Sequence, residues 1–186
     1  NLASNVTKKK INKNHERTPQ HRRNHSRALP ERHYLAIVST RATHSPTTMK
    51  IKNENPPNNL RETIAQFGMQ PHSGVIYTYS DTIYNPSGID LPNHLIEHEE
   101  THCDQQGADP DAWWDRYLKD PYFRIEQESE AYARQFAYIC ATVKDRNMRT
   151  RICMDLARIL AGPVYGNVIG IQNAYKKIKT LSKVKP

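Results

Sequence analysis

The residues whose types and spacing can do chemistry lie in Leu95-Ile-Glu-His98-Glu99-Glu-Thr-His102, an HExxH. On a helix, His98 and His102 stand one turn apart on one face, so both imidazoles can reach a single metal ion. Glu99 falls about 100° round the same helix, which sets its carboxylate beside an open coordination position instead of on the metal. From there it can act as general base toward a metal-activated water. The positioning helix is predicted over 92–106: Pro92 suits a first turn, Asp90 or Asn93 can cap the exposed amides, and Gly107 can close the far end. Leu91 and Leu95 share the histidine face and direct it inward.

A zinc hydrolase site needs three protein ligands and one open position for water. The extension HExxHxxGxxH is missing, because Gln105 and Ala108 occupy its Gly and His positions. The other source is a carboxylate on the following helix, within Arg124-Ile-Glu126-Gln-Glu128-Ser-Glu130-Ala. Four residues apart, Glu126 and Glu130 share a face that continues as Ala133, Ala137 and Cys140, whereas Glu128 falls nearly opposite Glu126 and is expected to face solvent. Carboxylates on such a stripe are costly to bury without a metal or charged partners. Glu130 is therefore the expected third ligand. Glu126 is the alternative ligand or an outer partner of one, with a structural ion pair to Arg or Lys as the competing role. His94, one turn before His98, is either an outer partner of the site or a surface histidine at the helix start.

HEETH followed by a Glu-Ala pair on the next long helix is similar to the gluzincin arrangement of thermolysin-like peptidases. The segment from HEETHCDQQ through WWDRYLKDPYFRIEQESEAYARQ to GPVYGN also resembles small metallopeptidases encoded by bacteriophages, a likeness confined to residues 74–180. The resemblance implies Zn2+ held by His98, His102 and Glu130, with Glu99 as the base. It also implies an edge strand through Val75, Ile76 and Tyr77 that pairs with an extended peptide substrate. His102 is the last histidine in the chain, so no downstream imidazole steadies the oxyanion, and that role falls to Tyr165, Tyr132 or an Arg. Two functions compete. One is a zinc metallopeptidase carried in a phage particle. The other is a non-catalytic virion component, of the tail or head-to-tail region, that keeps the fold and works through its surfaces.

The elements that must position these groups follow from composition. The chain has 186 residues, enough for one domain with a core. Its apolar content of 37% is below the usual level of about 45–50%, so part of the chain is not core. Charge is segregated: residues 1–33 hold nine Lys/Arg against two Glu, residues 90–130 three against twelve Asp/Glu, and residues 144–186 ten against two. Residues 1–33 read as an extended basic arm that docks on other virion subunits, with nucleic acid as the lesser alternative. The acidic middle argues against the whole domain lying on phosphates. Residues 34–186 read as an α+β zincin-like domain, with a strand region over 34–89 and a helical region over 90–186. Strands are expected at Tyr34–Ser39 and Gly74–Ser80, a loop at 53–59, a short helix at Leu60–Phe67 closed by Gly68, and turns over 81–88. Further helices are expected at 111–118, with Asp109 as cap, and at 123–144, 149–161 and 167–180. Trp113, Trp114, Tyr117, Tyr122 and Phe123 form a packing cluster at the turn between the two motif helices. No apolar run reaches the ~18–20 residues of a membrane span, and the opening NLASNVTKKK lacks a secretory h-region. The expected location is the virion, after synthesis in the host cytoplasm. Cys103, Cys140 and Cys153 have no CxxC spacing and read as unpaired thiols.

Overall fold

The structure, a computed structural model, describes residues 49–66 and 75–183. The basic arm, the expected strand at Tyr34–Ser39 and the closing Gly68 lie outside the described residues. Three short strands, β1 (Lys50–Lys52), β2 (Tyr77–Tyr79) and β3 (Thr82–Tyr84), precede most of the helices. These are α1 (Asn58–Gln66), α2 (Asn93–Gln106), α3 (Pro110–Lys119), α4 (Pro121–Thr142), α5 (Arg146–Leu160) and α6 (Ile171–Leu181), with a 3-10 turn at Pro163–Tyr165. A small sheet followed by a helical bundle is the expected α+β zincin-like arrangement.

In the sheet the order is β1-β3-β2. β3 pairs in parallel with β1 and antiparallel with β2, with Ile83 opposite Ile51 and Thr78. β3 falls where turns were expected, because three residues (Thr-Ile-Tyr) are too short to show an alternation; all three are buried. β1, wholly exposed, carries no burial pattern that a sequence could reveal. Ser80 and Asp81 join β2 to β3, with Ser80 at φ 55°, the positive φ that a two-residue hairpin demands at its first turn position.

The helical half is built by caps and apolar stripes. Asp120 accepts from the amides of Tyr122 and Phe123, and Pro121 follows as first helical residue, so α4 starts where a preset φ and a capping carboxylate coincide. Asp145 caps α5 and Asp109 caps α3 in the same way. α2 differs from expectation: Pro92 is its cap residue and gives no side-chain bond, while Asn93 donates to the Tyr138 hydroxyl instead. Ile125, Tyr132, Phe136 and Ile139 of α4 pack with Ile152, Cys153, Leu156 and Leu160 of α5 and Ala174 and Ile178 of α6. A second cluster, Leu60, Ile64, Tyr77, Tyr84 and Leu118, joins α1, the sheet and α3. α2 packs against α4 on one side and β2 on another. All three cysteines are free, and no described helix is long and apolar enough to cross a membrane.

Candidate metal centre

α2 and α4 bring together His98, His102 and Glu128, each 7% exposed or less. The two Nε2 atoms are 3.1 Å apart, His98 Nε2 is 3.5 Å from Glu128 Oε2, and His102 Nε2 is 3.4 Å from Glu128 Oε1. Donors bound at 2.0–2.1 Å to a tetrahedral zinc lie roughly 3.3 Å from one another, so the spacing matches. The tautomers match as well. Gln105 gives its Nε2 hydrogens to the Gln127 carbonyl and to Glu130, so its Oε1 accepts from His102 Nδ1–H at 2.9 Å. Gln135 Oε1 likewise accepts from His98 Nδ1–H at 3.2 Å, while its Nε2 donates to His94 Nδ1 at 2.9 Å. With both Nδ1 positions protonated, two Nε2 lone pairs face each other across 3.1 Å. A metal ion between them, or a proton on one of them, removes that repulsion. Glu128 Oε2, buried with only His98 Nε2 near it at 3.5 Å, supplies the third lone pair, and a buried carboxylate oxygen is costly unless charge compensates it.

Without a metal, the electrostatics place a proton between the same groups. Burial alone would raise the Glu128 carboxyl, but the charges of His102 and His98 and the Tyr117 hydroxyl bond outweigh it and bring the pKa down to about 2. Burial opposes the charged form of His98, yet the bond and charge of Glu128 prevail and raise its pKa. His94, depressed to about 4 by burial and then by the neighbouring His98 charge, is neutral at pH 7. Tyr117 donates to Glu128 Oε1 at 2.5 Å and stacks on Trp113, whose ring lies 5.6 Å from that of His102. The Tyr132 ring sits edge-on to His98 at 4.6 Å, and its hydroxyl is 3.1 Å from that of Tyr165. Glu99 projects toward the sheet, where Thr78 Oγ1 donates to its Oε2 at 2.8 Å.

The expected third ligand is therefore displaced by one half-turn. Glu130 is exposed and bonded to Gln105 Nε2, and Glu126 is exposed and paired with Lys177. Glu128, expected in solvent, is the carboxylate that meets the histidines. The buried face of α4 is set by its bulky residues, and Glu128 lies three residues after Ile125 and four before Tyr132, in line with both. The stripe of Ala133, Ala137 and Cys140 is a poorer guide, since small residues bury on either side of a helix. Gln135, seven residues beyond Glu128 on the same face, was legible by that rule; Gln105 and Thr78 carried no signal. His94 is buried, not a surface histidine. Val75 and Ile76 precede β2, and Tyr77 lies within it. Tyr165 reaches the cluster through Tyr132. Comparison with protein-family models, curated proteins and solved structures returned no match.

Proposed function

We propose that this chain is a zinc-dependent hydrolase of the metallopeptidase type, with His98, His102 and Glu128 as ligands and Glu99 as general base. The observation that carries the reading is the buried convergence of two Nε2 lone pairs and a carboxylate oxygen, with a second carboxylate on the next helical position. A zinc ion held there would supply a water of pKa about 7 and polarise a substrate carbonyl. Thr78 holds Oε2 of Glu99, so Oε1 would be the oxygen free to accept a proton from such a water and pass it to the leaving nitrogen. The Tyr165 hydroxyl, paired with Tyr132, is the donor proposed to meet the developing oxyanion. Glu99 leaves one carboxylate oxygen free of the Thr78 bond, which supports the base role beyond its structural tie to β2.

The test is Glu99→Gln. It retains zinc and loses peptide hydrolysis, whereas His98→Ala and His102→Ala lose both. Peptidase activity at the wild-type level in zinc-loaded Glu99→Gln would reject the assignment. A second reading, a virion component in which zinc is structural and the basic arm docks on neighbouring subunits, draws on the burial of the triad. It requires zinc binding with no hydrolysis in the wild type.

A further inference from the structure

The outward edge of β2 is already occupied. Tyr79 and Thr82 close the two-residue hairpin as a hydrogen-bonded pair, so the amide and carbonyl of Thr78 point away from β3, as do those of Ser80. That edge is where an added strand would pair. The carboxamide of Gln106, from the last turn of α2, sits there: its Oε1 accepts from the Ser80 N–H and its Nε2 donates to the Thr78 carbonyl, both at 2.8 Å. An amide that accepts from one residue and donates to another two positions away does what a neighbouring backbone does. Trp114 Nε1 adds a second bond to the same Thr78 carbonyl at 3.1 Å. Both lone pairs of that oxygen are used, and Gln106 is itself buried.

Thr78 is also the residue whose hydroxyl holds Glu99, so the candidate general base stands beside this stretch of the edge. On the Ser80 side of that point, a bound chain meets Gln106 and Trp114. On the other side, the next outward-facing residue is Ile76. Resting on the metallopeptidase reading, we infer that Gln106 and Trp114 limit the substrate on one side of the reacting bond. The site takes short peptides or chain ends, not the middle of an extended polypeptide. Gln106 is then a specificity-determining residue, and the general expectation of strand addition along β2 holds for only part of that edge.

The experiment uses the zinc-loaded full chain and two probes: a randomised tetrapeptide library, and the same tetrapeptides embedded centrally in acetylated, amidated 12-residue peptides. Products are read by mass spectrometry. The wild type cleaves the free tetrapeptides with kcat/KM at least tenfold above that for the embedded ones. Gln106→Ala raises kcat/KM for the 12-residue probes relative to the free tetrapeptides at least tenfold, with zinc content unchanged; a merely structural Gln106 would not move that ratio. Trp114→Phe keeps an aromatic ring but removes the indole donor, and it shifts the same ratio in the same direction by a smaller factor. Equal cleavage of free and embedded tetrapeptides by the wild type overturns the inference and leaves the peptidase reading standing. Cleavage of neither overturns both.

Discussion

At the residue scale, the account turns on which carboxylate faces the histidines. Glu128→Gln removes a ligand oxygen, and zinc affinity should fall more than about 100-fold, beyond the 10–100-fold expected for a lost outer partner. Glu130→Gln, which touches the centre only through Gln105, should change it little; competition against a chelator distinguishes the two. Equal losses for both variants would remove Glu128 from the ligand set. The pH dependence has a definite sign. In the metal-free protein His98 holds its proton above the usual imidazole pKa because of Glu128, and zinc must displace that proton. Affinity should therefore be level well above the raised pKa and fall as pH drops through it, which calorimetry across a pH series would register. The HExxH was legible because its chemistry is carried by spacing alone. Glu128 was not, because three glutamates at alternate positions look alike until the bulky residues around them fix which way the helix faces.

At the element scale, α4 is the piece that makes the centre, since it carries Glu128, Tyr132 and Gln135 on one face. Its start depends on Asp120, whose carboxylate holds two amides. Asp120→Ala should cost about 1 kcal/mol in chemical denaturation, with zinc stoichiometry unchanged. Ile139→Ala, which empties a fully buried position between α4 and its neighbours, should cost about 2–5 kcal/mol. A cost under 0.5 kcal/mol at Ile139 would contradict the packing described for the bundle. Caps and long apolar periodicities made α3, α4 and α5 readable within a few residues. Of the three-residue strands, β2 fell within the expected Gly74–Ser80, but β1 and β3 were not legible, because a pattern of period two needs more than three positions and their pairing partners (Lys50 with Thr82) are far apart in sequence.

At the scale of the whole molecule, the centre ties the strand region to the helical bundle: Thr78 from β2 reaches Glu99 on α2, and α2 shares the ion site with α4. Bound zinc should therefore stabilise the fold as a unit. A ligand at 100 times its Kd contributes about 2.7 kcal/mol, so EDTA should lower the melting temperature by several degrees and zinc should restore it. The segregation of charge that dominates the sequence finds no use in this centre; its acidic share on α2 is partly consumed by Arg134, which pairs with Glu97, Glu100 and Asp104.

The most direct measurement is an anomalous-diffraction structure at the zinc edge of protein purified with zinc supplied. It should show one ion with His98 Nε2, His102 Nε2 and a Glu128 oxygen at about 2.0–2.2 Å. Crystals with no anomalous peak at that position, and Glu128 bonded directly to a protonated histidine, would contradict the account.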